Sequence, residues 1–162
     1  MITVDYNRQK VVSYARKWAL LRNPYYYNFE NIGGDCTNFA SQCLYAGSSI
    51  MNYTPRFGWF YIDAQNRTPS WTGVEFLYNF LISNKSVGPF AMEGDQNAVI
   101  PGDIIQLGGV NGSFYHSLIV LSNNNGHIKV AAHTYDTVDT PLSEYNFYNI
   151  RFIHIQGVRK WQ

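Results

Sequence analysis

The hydrophobic pattern of this chain changes period near Pro101, and that change constrains the fold more than any other feature. Before it, apolar residues recur at helical spacing, as in residues 6–22. After it, segments of strand character follow one another: residues 103–107, 114–121, 127–133 and 150–158. Helices first and antiparallel strands second predict a single α+β domain spanning residues 1–162.

Two stretches before the strand region have apolar residues at neither helical nor strand spacing. Residues 48–70 and 82–100 are therefore expected to be loops. A helix is predicted to begin between them at Thr72, because Thr72 and Glu75 have the spacing of a capping box.

The segment around Cys36 predicts a second helix with a reactive thiol in its first turn. Gly33 and Gly34 precede the cysteine, and Gly47 is expected to end the helix. Free N–H groups and the helix dipole favour a thiolate at that position, and the glycines let a substrate approach closely. Cys43 lies roughly 10 Å further along, too far for a disulfide, and is interpreted as a core residue.

The histidines test this hypothesis. The strands that carry His116 and His133 are joined through residues 123–126, and Asn125-Gly126 is a strong hairpin signal. Loops of two or four residues both place the two imidazoles on one face, roughly 5–8 Å apart between Cβ atoms. We therefore expect His116 to act as the base for Cys36 and His133 to orient it, with Asp136 as the competing third member.

Overall composition narrows the choice of partner. The net charge is +1 and no basic run exists, which makes nucleic acid and anionic membranes poor candidates. No segment is long enough to cross a membrane, and the N-terminus lacks a signal-peptide pattern, so the chain is either made without one or is a domain of a longer protein. Aromatic residues form 17% of the chain against 14% charged. They predict either a groove for sugars or peptides or a tyrosine-rich core.

Several motifs together resemble the putative amidase domain family of bacterial cell-wall and sporulation proteins. That family is related, within the papain-like superfamily, to the NlpC/P60 and CHAP peptidases. The resemblance covers roughly residues 5–158. It rests on Gly34-Asp35-Cys36-Thr37-Asn38-Phe39-Ala40-Ser41-Gln42-Cys43, Ser70-Trp71, Pro101-Gly102-Asp103-Ile104-Ile105, Tyr115-His116-Ser117-Leu118-Ile119-Val120 and Ala132-His133-Thr134.

The resemblance implies a papain-like fold in which a nucleophile helix packs on an antiparallel sheet. It also implies Cys36, His116 and His133 as a catalytic triad that needs no metal or organic cofactor. By similarity, Asp35 and Thr37 would help to hold the substrate. The oxyanion glutamine of papain-type enzymes is replaced by Glu30, so a second donor is sought among residues 25–28.

The function expected from this resemblance is hydrolysis of an amide bond in peptidoglycan. The enzyme would be an N-acetylmuramoyl-L-alanine amidase or a stem-peptide endopeptidase, located outside the cell or in the cell wall and encoded by a bacterium or a phage. One alternative is a catalytically silent binding module of the same fold. Another is a zinc amidase that uses His116, His133 and either Asp136 or Cys36 as ligands.

Overall fold

The computed structural model describes residues 1–162 and contains helices, strands and one 3-10 turn, Leu142–Glu144. The helices are α1 (Arg8–Trp18), α2 (Cys36–Ser48), α3 (Pro69–Thr72) and α4 (Val74–Ser83). The strands are β1 (Ile2–Val4), β2 (Tyr61–Asp63), β3 (Asn66–Arg67), β4 (Gly88–Gly94), β5 (Ile104–Gly108), β6 (Phe114–Asn124), β7 (His127–Ala132), β8 (Thr137–Pro141) and β9 (Asn149–Lys160). None of the helices is long and apolar enough to cross a membrane.

Seven strands form one antiparallel sheet in the order β1-β9-β5-β6-β7-β8, with β4 also paired to β9. Strands β2 and β3 form a separate small hairpin. The main core lies between the helices and one face of the sheet, and includes Phe39, Leu44 and Ile119. A smaller cluster on the opposite face includes Leu107, Leu118 and Val120. Both faces of β6 are therefore covered, and its side chains alternate between two different environments.

Helix α2 is the central helix of the main core. Eleven of its thirteen residues are buried, including five polar ones, three of which accept hydrogen bonds from aromatic side chains. Partners of matching chemistry satisfy them: the indole N–H of Trp71 donates to Asn38 at 3.0 Å, that of Trp59 donates to Ser41 at 3.1 Å, and Tyr14 donates to Gln42 at 2.6 Å. Because buried polar groups without partners are costly, these bonds determine which side of α2 faces each neighbouring element.

Gly47 does not end the helix, as the sequence had predicted, but has a packing role. It lies inside α2, which ends at Ser48 and is capped by Ser49, a residue with a left-handed φ of 57°. A Cβ atom on Gly47 would lie 2.4 Å from Cγ2 of Val11. The missing side chain therefore allows α1 to pack closely against α2.

Three other local predictions were wrong. Residues 82–100 contain strand β4, which pairs with β9 along its whole length. Thr72 does not cap a helix, since it ends α3 while α4 begins after Gly73 without a side-chain cap. Helix α1 ends at Trp18 rather than at residue 22.

Candidate active site

Cys36 is the first residue of α2, as predicted, and its thiol lies against the backbone of β6. The side chain is buried, and Sγ is 4.0 Å from the carbonyl oxygen of Tyr115. The backbone N–H of Ser117 also donates a hydrogen bond to the sulfur. The thiol therefore contacts the residues immediately before and after His116.

An open stretch of strand makes this contact possible. Near Tyr115 and Ser117 strand β6 pairs with β5, whereas its pairing with β7 begins only at Ile119. The thiol contacts the Tyr115 carbonyl oxygen and the Ser117 N–H, which are not hydrogen-bonded to β7. The sequence thus brings Cys36 to the strand of His116, although the two residues are 80 positions apart.

The His116 ring differs from most buried polar groups because it forms no hydrogen bond. The residue is 8% exposed, and every fully buried polar side-chain atom in the protein has a partner. Its ring nitrogens must therefore reach solvent. Its aromatic neighbour is Tyr145, with ring centroids 6.0 Å apart.

Burial favours the uncharged forms of both residues. It raises the pKa of the Cys36 thiol above its ordinary value of 9.0, against the hydrogen bonds from Ser117 and Thr37 that lower it. Burial also lowers the pKa of His116 from 6.5 to about 4. At neutral pH the resting site therefore holds a thiol and a neutral imidazole, and not the thiolate that the helix position alone predicted.

His133 does not lie beside His116, so the predicted pairing of the two imidazoles was wrong. The hairpin loop is the two-residue Asn125-Gly126, as considered, with Asn124 opposite His127. A β-bulge interrupts the pairing, since Val120 is opposite Val130 but Ser122 is opposite Lys129.

The bulge reverses the expected parity. One extra residue in β6 exchanges the faces of all residues beyond it, because side chains alternate along a strand. Extending the pairing from Ile119 and Ala131 places Ser117 opposite His133. Ser117 faces α2, whereas His116 follows Leu118 to the opposite face of the sheet.

His133 instead anchors the start of α2. Its Nδ1 is 2.6 Å from the carboxylate of Asp35, and its Nε2 is 2.8 Å from the carbonyl oxygen of Trp18. The ring stacks on Phe39 with centroids 4.0 Å apart. Both nitrogens face acceptors, so both must carry hydrogen and the ring is an imidazolium.

Asp35 is the centre of this cluster and is fully buried. Its carboxylate accepts from the backbone N–H of Phe29 at 2.8 Å and from Asn38 at 2.9 Å, and Arg22 lies 3.4 Å away. Burial alone would raise the pKa of Asp35, but the hydrogen bonds from His133, Asn38 and Phe29 together lower it. Asp35 is an ionised structural group.

Two further predictions are corrected by these contacts. Asp35 and Thr37 are both buried and fully engaged, so neither is free to hold a substrate. Asp136 binds Arg22 through both carboxylate oxygens, at 2.7 and 3.0 Å, and not His116. Asp136 is thus no better placed than His133 to orient His116.

Among the candidate oxyanion donors of residues 25–28, the Tyr27 N–H is already committed to another acceptor. Tyr25 is exposed, Tyr26 stacks on Trp71 in the interior, the Tyr27 N–H donates to Tyr61, and Asn28 accepts from Arg22. The first-turn N–H groups of α2, beginning with that of Cys36, have no acceptor within the helix and remain the natural donors.

The side chains do not converge as a zinc site would require. No group of three or more His, Cys, Asp or Glu residues is arranged to hold a metal ion. His133 and Asp136 are committed to Asp35 and Arg22 respectively.

Sequence analysis missed a buried polar row beside the thiol. The Thr37 hydroxyl is 3.7 Å from Sγ of Cys36 and 3.0 Å from the Ser117 hydroxyl, which accepts from Gln106 at 3.1 Å. Gln106 is buried within β5 and accepts from Arg151. A glutamine inside an apolar strand was the signal that could have identified it.

A depression of about 730 Å³ adjoins the strand of His116. It is lined by Gly109, Val110, Asn111, Tyr115, Asn146, Phe147 and Tyr148, none of which is charged. The rings of Tyr115 and Tyr148 are exposed there. Some of the aromatic residues therefore do form a surface, although others, such as Trp59 and Trp71, fill the core.

Comparison with known proteins places the chain in a family. Residues 5–156 match the family model described as "Putative amidase domain". The "Uncharacterized protein YhbB" of Bacillus subtilis (strain 168) is 33% identical over 162 residues, which covers 90% of this chain and 50% of that relative. The chain thus spans half the length of this relative, and no solved structure matches it. Since the family model extends over nearly all of the residues that build the sheet, α2 and the Cys36 site, the chain belongs to the putative amidase domain family.

Proposed function

We propose that this chain is a cysteine hydrolase that cleaves an amide bond of peptidoglycan, with Cys36 as nucleophile and His116 as base. The observation that carries the proposal is the position of the Cys36 thiol, at the start of α2 and in contact with the residues on both sides of His116. Membership of an amidase family supports amide hydrolysis. The order of one buried helix followed by an antiparallel sheet supports a papain-like fold.

The protonation states favour proton transfer during attack. His116 has a pKa of about 4, so its ring is neutral and able to accept a proton at physiological pH. As the sulfur of Cys36 bonds to the carbonyl carbon, the thiol proton passes to His116 through a water molecule at the edge of β6 that β7 leaves unpaired, because the His116 ring projects from the sheet face opposite α2. The resulting imidazolium then donates that proton to the leaving nitrogen as the C–N bond breaks, which leaves a thioester.

Water then hydrolyses the thioester, and His116 again acts first as base and then as acid. His116 takes a proton from a water molecule, whose oxygen attacks the thioester carbonyl, and the proton returns to the sulfur as the C–S bond breaks. The Cys36 N–H at the start of α2 is suited to bind the oxyanion in both steps. In this proposal His133 supports the helix start and does not touch the reacting atoms.

The depression beside Tyr115 is the proposed site for the sugar side of the substrate. Exposed aromatic faces together with the amides of Asn111 and Asn146 suit a neutral, hydroxyl-rich ligand, and the absence of charged side chains disfavours an ionised peptide there. This favours cleavage between the sugar and its stem peptide over cleavage within the peptide. A peptidoglycan substrate implies action outside the cell or in the cell wall.

The test is digestion of purified peptidoglycan, with fragments identified by mass spectrometry. Wild-type protein should release intact stem peptides from the glycan. Cys36→Ala should abolish release while keeping the melting temperature, and Cys43→Ala should retain most activity because Cys43 is a core residue seven positions further along α2 than Cys36. Equal loss in both variants would remove Cys36 from its proposed role.

The competing function is a silent binding module. The raised pKa of Cys36 is the observation in its favour, since a thiol that does not ionise readily is a weak nucleophile. Peptidoglycan that binds to wild-type protein and to Cys36→Ala equally, with no fragment released by either, would establish that function.

A further inference from the structure

A row of hydrogen bonds leads from the partly buried Arg151 to the thiol of Cys36. Arg151 donates to Oε1 of Gln106 through Nε at 2.9 Å and Nη2 at 2.6 Å. Gln106 donates through Nε2 to Ser117 at 3.1 Å, and the Ser117 and Thr37 hydroxyls are 3.0 Å apart. The Thr37 hydroxyl oxygen is 3.7 Å from the sulfur.

The partners on either side of the Gln106 amide determine which of its two terminal atoms is oxygen and which is nitrogen. Arginine has donors only, so the amide atom facing Arg151 must be oxygen. The other amide atom lies 3.0 Å from the carbonyl oxygen of Val74, an acceptor only, so it must be nitrogen. Both constraints require the same orientation.

The direction of every later bond follows from that orientation. Since the Gln106 amide nitrogen donates to the Ser117 oxygen, the Ser117 hydrogen is left to point at Thr37. The Thr37 oxygen accepts it, and the Thr37 hydrogen is left to point at the sulfur of Cys36. All hydroxyls in the row are buried, so water does not compete for them.

We propose that Gln106, Ser117 and Thr37 form a one-directional hydrogen-bond relay that supplies a donor to the Cys36 sulfur, with Gln106 as a positioning residue. The donor stabilises the thiolate that develops when the sulfur loses its proton, and it is weaker for the uncharged thiol. The relay deepens the proposed function, on which its catalytic meaning rests. Its effect on the ionisation of Cys36 can be measured without any substrate.

Other titratable groups also surround the thiol and must be kept constant in the test. Asp35 directly precedes α2 and raises the pKa of the thiol, although His133 and Arg22 lie beside that carboxylate. His116 flanks it from β6 in the neutral form. None of these groups belongs to the relay, so each remains in place when a relay hydroxyl is removed.

The experiment measures the rate of iodoacetamide alkylation of Cys36 against pH, in a Cys43→Ala background that leaves a single thiol. Thr37→Val keeps the side-chain shape but removes the final donor, and it should raise the midpoint of alkylation by about one pH unit. Thr37→Ser retains the hydroxyl and should restore the wild-type midpoint. Melting temperatures show which variants are folded.

The relay is distinguished from a local effect by combining variants. Gln106→Met frees the Ser117 hydroxyl to point either way, so the midpoint should rise by less than one unit, and this rise should vanish in a Thr37→Val background. If Gln106→Met does not fold, Ser117→Ala replaces it, and the same rise in the midpoint of alkylation is expected. Glu75→Gln, which removes only the surface partner of Arg151 at 3.0 Å, is the matched control and should leave the midpoint unchanged.

A folded Thr37→Val protein with an unchanged midpoint would overturn the relay. So would a rise in Gln106→Met that persists in the Thr37→Val background. Because alkylation needs no peptidoglycan, failure of the relay and failure of the proposed hydrolase activity give separate results.

Discussion

His116 and His133 lie on adjacent strand ends of one sheet, yet their surroundings differ in every respect that matters for chemistry. His133 is 1% exposed, bonds through both nitrogens and is cationic beside Asp35. His116 has no hydrogen bond, reaches solvent and is neutral, with a pKa of about 4. A histidine whose nitrogens are both occupied cannot accept a proton, whereas one with free nitrogens can. The comparison therefore separates a structural histidine from a candidate base.

The largest expected effect is the loss of turnover in His116→Gln. Glutamine has a similar size but cannot take the thiol proton, so peptidoglycan hydrolysis should fall by roughly 10²–10⁴-fold. The melting temperature should change little, because the ring forms no hydrogen bond that would be lost. Fragment release and a thermal scan on the same preparation check both points. A variant with near-normal turnover would assign the base elsewhere.

His133→Ala should show the reverse pattern. It leaves the buried Asp35 carboxylate with Arg22 at 3.4 Å as its remaining charged partner, which should cost about 3 kcal/mol of unfolding free energy. For a chain of this length the melting temperature should fall by roughly 6–12 °C, and turnover of the folded fraction by less than tenfold.

Asp136→Ala is the control for that stability measurement. It removes a partly exposed partner of Arg22 and should cost under about 1 kcal/mol. If His133→Ala abolished turnover without lowering the melting temperature, the two histidines would have to exchange roles in the comparison.

A more gradual effect concerns acid stability and depends on the neutral state of His116. Its folded-state pKa of about 4 lies below the ordinary 6.5, so between these values the unfolded chain binds a proton that the folded protein does not. Stability should therefore fall as the pH drops from about 6.5 to 4, by at most about 3 kcal/mol from this group. His116→Gln should flatten this part of the profile, measured by urea unfolding at several pH values. The contribution from Asp35, whose pKa is lowered, should be lost only as the pH falls below its ordinary value of 3.8.

Local features of the chain were sufficient to predict the elements that carry the site. Cys36 begins a helix because Gly33 and Gly34, both with positive φ, turn the chain into it. The strands of residues 103–107, 114–121 and 127–133 appear in order because each is a short apolar segment between turn residues, and the last of them alternates with a period of two. Neighbours in sequence determine these outcomes, so a sequence pattern is enough to reveal them.

Tertiary contacts decided which residues meet. The bulge between Val120 and Ser122 has no marker in the sequence, yet it moves His133 from the face of His116 to the face of α2. Gly47 looked like a helix end but is required by the approach of Val11, a contact between residues 36 positions apart. The burial of Asp35 and Thr37, and the entire row from Arg151 to Cys36, likewise depend on elements that meet only in the folded sheet. A periodic pattern specifies which side of an element is apolar, but strand register, bulges and the partners of buried polar groups are set by the packing of distant segments, and these determine which residues can act together in the site.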